Sequence, residues 1–194
     1  MKKVERNEIL PLGDYEAVRE RFRARILELK RARRMILGDD MSMVFENRDT
    51  VLWQIQEMLR TERITGERAI AHELETYNEL VPGDRELSAT LFIEIPELAR
   101  REEMLTRLCA IEEHVSFEIG SPERHRCRAT FEEGRRDRGR AAAVQYLKFP
   151  LGEEACVEVG ARRGPATVVF DHPALSARFS LSAATLASLS DDLS

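Results

Sequence analysis

Apolar positions along this chain change their spacing once. Between Asp14 and Val81 they recur every three or four residues, and beyond Asp84 they alternate. Asp14 is a good N-cap, and Val18, Phe22, Ile26, Leu29 and Ile36 follow it as one stripe. That pattern predicts a helix from Tyr15 that closes at Gly38. In residues 41–47, Met41, Met43 and Phe45 alternate imperfectly with Ser42 and Val44, which predicts a short strand or an extended loop. Asp49 or Thr50 then caps a second helix with Leu52, Ile55 and Leu59 inward. Thr65-Gly66 breaks it, and Thr65 caps a third helix whose stripe is Ile70, Leu74, Tyr77 and Val81. Val81-Pro82-Gly83-Asp84 predicts a type II turn, because proline suits its second position and glycine its third. A boundary between a helical region (1–84) and a sheet region (85–194) is placed there.

After the turn, Leu91, Ile93 and Ile95 alternate with polar or outward residues up to Pro96. Leu98, Leu105, Leu108 and Cys109 then share a helical face. Two more strands follow: Val115, Phe117 and Ile119 mark one, and His125 to Phe131 the other, past a Ser121-Pro122 turn. The order repeats. A strand from Ala142 to Phe149 ends at Pro150, Val168 and Phe170 mark another, and Leu175 to Leu181 a third. Ser182 caps a last helix carrying Leu186, Leu189 and Leu193. Pro96 precedes Phe117 by 21 residues and Pro150 precedes Phe170 by 20. Residues 88–133 and 142–181 are therefore candidate βαββ repeats, in a six-stranded, mainly antiparallel sheet with helices on one face. The repeat requires residues 152–161 to be helical, whereas Cys156, Val157 and Val159 favour a strand. The expected fold class is α+β, with an N-terminal helical region packed on a C-terminal sheet.

Composition narrows the function classes. Of the 194 residues 43% are hydrophobic, enough for a packed core, and 34% are charged with both signs interspersed. The net charge of -5 supplies no field for nucleic acid, and no apolar run approaches the ~20 residues of a membrane span. The polar N-terminus, MKKVERNEILPL, leads us to expect a cytoplasmic protein. Three cysteines without a CxxC pair give neither a disulfide framework nor a zinc knuckle. The arginines between Arg19 and Arg34 read as a solvated face paired with Glu16, Glu20 and Glu28, ahead of an anion or nucleic-acid site. GRRDRGR (134–140) reads as a hairpin tip ahead of a phosphate grip.

Candidate chemistry is sparse. No G-x-S-x-G, P-loop, G-x-G-x-x-G or HExxH motif occurs. Asp171-His172-Pro173 has no nucleophile to serve, and Cys109 and Cys127 fall on apolar stripes. His72 and Glu75 share a helical face, and Glu57 on the preceding helix can join them as ligands for iron or manganese. A di-iron bundle wants two Glu-x-x-His sets, and this chain has one in reversed order. His72 also lies opposite the apolar stripe, and Glu57 has Arg60 as an ordinary ion-pair partner. The polar segment from Asp39 and Asp40 to Arg48 reads first as a structured connection. Its functional alternative is a contact surface of Glu46, Asn47, Arg48, Trp53, Gln56 and Arg60.

The strings LGDDMSMVFENRDTVLWQIQEMLRTERI, NELVPGDRELSATLFIEIP, VQYLKFPL and FDHP resemble an uncharacterised bacterial family, the domain of unknown function numbered thirty-five-zero-one. The resemblance runs from Ile9 to the last helix. It implies neighbours of the rubrerythrin type and an iron–sulfur oxidoreductase, hence a role in oxygen or peroxide defence, and it implies no catalytic residues. Two function classes are expected. The first is a soluble accessory protein that binds such a redox partner. The alternative is a metal-dependent redox enzyme using Glu57, His72 and Glu75 with iron or manganese.

Overall fold

The structure, a computed structural model, describes residues 1–120, 124–131 and 139–193. Helix α1 spans Leu12–Arg33 and is entered from Pro11, so Asp14 lies inside the first turn rather than capping it. Proline fits there because the first helical N–H groups need no partner within the helix. The helix stops before the end of its apolar stripe: Arg34–Ile36 form strand β1, and Ile36 is 68% exposed. Gly38, with φ +77°, turns β1 into β2 (Met41–Glu46) instead of capping a helix. The six residues of β2 are all buried, which resolves 41–47 as a strand at the heart of the molecule. Asn47 caps α2 (Arg48–Thr61): its side chain accepts the Thr50 N–H, and the Thr50 hydroxyl accepts the Asn47 N–H. Helix α3 runs Glu67–Asn78 with Gly66, not Thr65, at its N-cap. The 81–84 turn differs from type II, because the left-handed residue is Arg85 (φ 50°) while the Gly83 N–H is held by Glu86 Oε1 at 2.9 Å.

The remaining elements are β3 (Glu86–Ile93), α4 (Leu98–Arg107), β4 (Val115–Ile119), β5 (His125–Arg128), β6 (Thr130–Phe131), β7 (Val144–Pro150), α5 (Glu153–Gly160), β8 (Ala166–His172), β9 (Leu175–Ser180) and α6 (Ala183–Asp192). The fold is α+β, and the βαββ order appears twice, as β3-α4-β4-β5 and β7-α5-β8-β9. Residues 153–160 are helical despite their β-branched residues, because Ala155 and Val159, one turn apart, are buried while Val157 faces out. The expected single six-stranded sheet is corrected. Two antiparallel sheets form, in the orders β1-β2-β3-β7-β6 and β5-β4-β8-β9. The chain crosses between them at Ala129, whose N–H reaches Val115 O at 2.9 Å. Each sheet has one apolar face, and each buries it on the other. Phe45 and Phe149 from the first meet Phe117 from the second, with ring centroids 6.1–6.4 Å apart.

A second apolar cluster holds the helical layer together. Val51, Ile55 and Leu59 of α2 pack with Ile70 and Leu74 of α3 and with Val4 and Ile9 of the N-terminal segment. Asn78 pins that segment by donating to Val4 O at 2.9 Å and accepting its N–H at 2.7 Å. Arg33, 1% exposed, ties the layers: it donates to Phe45 O (2.7 Å), Glu46 O (3.0 Å) and Ser188 Oγ (2.9 Å), and pairs with Asp192. Among the described residues no helix is long and apolar enough to cross a membrane.

Candidate ligand-binding site

The first sheet alternates, and its two faces differ. Met41, Met43 and Phe45 join the core between the sheets, so Ser42, Val44 and Glu46 point to the other face. In the register, Glu46 stands beside Ser88, Ser88 beside Lys148, and Lys148 beside Thr130. The next row runs Val44, Thr90, Tyr146. Ser42, Glu46, Ser88 and Thr90 are all buried. A helical layer normally meets a sheet apolar to apolar. Here the sheet contributes hydroxyls and charges, and a polar seam results.

At one end of the seam the Glu46 carboxylate accepts from Thr90 Oγ1 at 2.7 Å and Thr50 Oγ1 at 2.5 Å. Lys30 of α1 places its ammonium 4.7 Å from the Trp53 ring centre. Burial pushes the Lys30 pKa down, and the Glu46 charge opposes that shift. The Trp53 indole N–H is buried without a hydrogen-bond partner among the described residues. Farther along, Arg34 donates to Ser42 Oγ at 2.7 Å, and that hydroxyl donates to Glu94 at 2.5 Å.

At the other end the seam opens into a cavity of about 320 Å³ between α3 and the first sheet. Glu73, Thr76 and Tyr77 of α3 and Glu79 just past its end form one wall, and Thr130, Phe131, Tyr146 and Lys148 of β6 and β7 the opposite one. Ser88, 2% exposed, belongs to both ends: it lines the cavity and is the cross-strand neighbour of Glu46. Lys148 is held by Glu86 at 2.8 Å. Lys3 binds Glu79 at 2.9 Å and holds that carboxyl below its ordinary range. This arrangement can enclose a small molecule among aromatic rings and orient it with a few polar groups.

The structure places the six residues of the expected contact surface as follows. Glu46 and Gln56 are 2% and 1% exposed, out of reach of a partner protein. Gln56 accepts the Leu10 N–H at 2.6 Å, Asn47 caps α2, Arg48 pairs with Glu8, and Arg60 meets Glu16 at 2.9 Å. Trp53 lies beneath Lys30. These side chains hold elements together.

Of the metal set, Glu57 accepts from Tyr15 at 2.7 Å and twice from Arg19, at 2.7 and 2.9 Å. The Arg19 guanidinium lowers the Glu57 pKa, while burial, then Glu57, pushes the Tyr15 phenol up. His72 and Glu75 stand exposed on α3. Among the described residues no three His, Cys, Asp or Glu side chains gather as a metal site. On the arginine face, Arg25 pairs with Asp49 and Arg31 with Glu28.

His172 uses both nitrogens: Nδ1 accepts the Ala174 N–H at 3.1 Å, so Nε2 carries the proton that reaches Cys109 O at 3.0 Å. Cys127 is buried as expected, and Cys109 only half-buried. The Ser121-Pro122 turn and residues 134–138 of the basic loop lie outside the described residues. The cavity residues Tyr77, Ser88, Thr130, Tyr146 and Lys148 escaped sequence reasoning. The signal for the strand residues among them was the polar character of outward positions on strands that helices cover.

A family profile described as "Protein of unknown function (DUF3501)" matches residues 3–193. Among solved structures, the chain is similar to a novel protein of unknown function from Burkholderia pseudomallei K96243. That crystal structure shares 31% identity and a TM-score of 0.91 with it, over 100% of both chains. A search of curated proteins finds no match.

Proposed function

The chain belongs to this family of proteins of unknown function, and from that premise we propose that it is a small-molecule binding protein whose site is the cavity between α3 and the first sheet. One observation carries the reading: about 320 Å³ of space lies between aromatic side chains, with the buried Ser88 hydroxyl among its lining groups. Pockets of about 300 Å³ and more, with an apolar lining and a few convergent polar groups, are the common form of ligand sites. A fragment screen by protein NMR tests it. Ligands are expected to shift the amides of Tyr77, Ser88, Phe131 and Tyr146. Thr76→Trp, at an exposed position on the cavity wall, is expected to abolish those shifts. A screen with no shift at these amides, or shifts indifferent to Thr76→Trp, overturns the reading.

An accessory role in the cytoplasm, beside a rubrerythrin-type or iron–sulfur redox protein in oxygen or peroxide defence, belongs to the same proposal. What supports it is the family resemblance. Its test is co-precipitation of the purified chain with each partner, and retention no greater than on blank beads ends that part.

A further inference from the structure

We infer, resting on the cavity reading above, that the ligand carries a neutral carbonyl oxygen, that of a ketone, ester or amide, and that Ser88 is the residue that selects for it. Ser88 lies in β3 between Leu87 and Ala89, which both join the core between the sheets. Its side chain therefore points the other way, to the cavity it lines. Ser88 is 2% exposed, and its hydroxyl makes no hydrogen bond among the described residues. The other hydroxyls of the seam are in use: Ser42 donates to Glu94, and Thr50 and Thr90 donate to Glu46. A buried hydroxyl without a partner costs free energy on folding. One left idle at a cavity wall points to a partner that arrives from outside.

The neighbours of Ser88 decide which partner fits. On the same face of the sheet, Lys148 stands beside it on β7 and Glu46 on β2, with Glu86 two residues back along β3. Lys148 donates to Glu86 at 2.8 Å, and among the described residues its ammonium has no other partner. An ammonium has three protons to donate, so two remain. Cross-strand side chains start about 5 Å apart, so one ligand oxygen reaches both the Ser88 hydroxyl and the Lys148 ammonium. Lys148 can only donate, and the atom that sits between the two groups must accept. A carboxylate there has to share Lys148 with Glu86 and stand beside Glu46. A carbonyl oxygen needs only the two donors.

Three probes of nearly one shape separate the classes: the ketone pinacolone, its isostere 2,3,3-trimethyl-1-butene with a methylene in place of the oxygen, and the anion pivalate. Each is titrated into the full chain and followed by NMR at the cavity amides. The ketone is expected to bind at least about threefold tighter than the alkene or the anion, the contribution of one hydrogen bond. Ser88→Ala is expected to weaken the ketone at least about threefold and to leave the alkene unchanged. Because the hydroxyl bonds nothing in the free protein, Ser88→Ala is also expected to leave the thermal midpoint unchanged or raised, which the loss of a serine that serves the fold would not do. Equal or tighter binding of the alkene or the anion overturns the inference, as does a ketone affinity indifferent to Ser88→Ala. So does a silent ketone titration, or a midpoint lowered by more than about 3 °C. If the fragment screen still finds ligands at these amides, only the carbonyl inference falls; if that screen is silent as well, the cavity reading falls with it.

Discussion

Removing the Glu46 carboxylate tests whether that residue holds the seam or waits for a partner. The carboxylate accepts two hydroxyl hydrogen bonds, from Thr90 at 2.7 Å and Thr50 at 2.5 Å, in a site 2% exposed. Hydrogen bonds to charged groups contribute about 1.5–3 kcal/mol each, so the pair supplies about 3–6 kcal/mol. Two effects reduce the loss. Alanine carries no charge to desolvate, and Thr50 has Asn47 O at 2.9 Å as a second acceptor. Thr90 is then the hydroxyl left without its carboxylate, and a net cost of about 3 kcal/mol follows for Glu46→Ala. Glu46→Gln keeps one oxygen acceptor and loses the charge, which costs about 1–2 kcal/mol. The assay is urea unfolding with the slope held in common, and thermal unfolding is expected to fall by about 6–12 °C for Glu46→Ala. A double-mutant cycle with Thr90→Val is expected to give a coupling of about 1–2 kcal/mol. If Glu46→Ala stays within about 0.5 kcal/mol of the parent, the carboxylate is not a structural acceptor and the argument fails.

Other expectations follow from the same geometry. Arg33→Met leaves Phe45 O, Glu46 O and Asp192 without their donor, and is expected to cost about 3–5 kcal/mol by calorimetry; adding Asp192→Leu should recover part of it. Glu57 and Glu118 are held below the ordinary carboxylate pKa of 4.5, chiefly by Arg19 and Arg178, so their stabilisation is full above that value and is lost as pH falls through their lower folded values. Urea midpoints from pH 7 to 3 should show this decline, and Glu57→Gln should make it shallower. Asp192, raised by burial, acts with the opposite sign and favours the folded state as pH falls. Phe117→Ala, which removes ring contacts to Phe45 and Phe149, is expected to cost about 3–5 kcal/mol, read as a fall in the urea midpoint.

Much of the fold was legible because local spacing is set by which face an element buries. The change from helical to alternating spacing placed α2, α3 and most of the strands, and residues 152–161, open between helix and strand in the sequence, form the helix that the duplicated order required. The end of α1 was illegible for a physical reason. Ile36 continues the helical spacing, yet pairing with β2 fixes Arg34–Ile36 as an edge strand and turns Ile36 outward. The division into two sheets was hidden as well, since strand pairing such as Ser116 with Val169 is not local. Of the site, Glu46 and Trp53 stood out, but their roles did not. The cavity residues were invisible because Ser88, Tyr146 and Lys148 sit at outward strand positions, where polar residues usually face water.

The seam itself is the strongest argument for a site. Helices α2 and α3 turn most of their apolar side chains to each other and to the N-terminal segment, and Tyr146 is the sheet residue that packs against that cluster among the described residues. Burying Ser42, Glu46, Ser88 and Thr90 beneath them brings desolvation costs that an apolar face would avoid, unless every group finds a partner. Glu46 finds two, one on α2 and one on β3, and thereby fixes the helical layer at a set distance from the sheet. Ser88, beside it, is the cavity floor. The stretch that looked like a contact surface is on this reasoning the spacer that keeps the cavity open. Thr90→Val, at a residue that does not itself line the cavity and with a shape that keeps the packing beside Tyr146, is then expected to weaken probe binding at the cavity by a factor of about 2–5, on the order of 0.5–1 kcal/mol. Unchanged affinity in a folded Thr90→Val protein would show that the spacer and the cavity are independent.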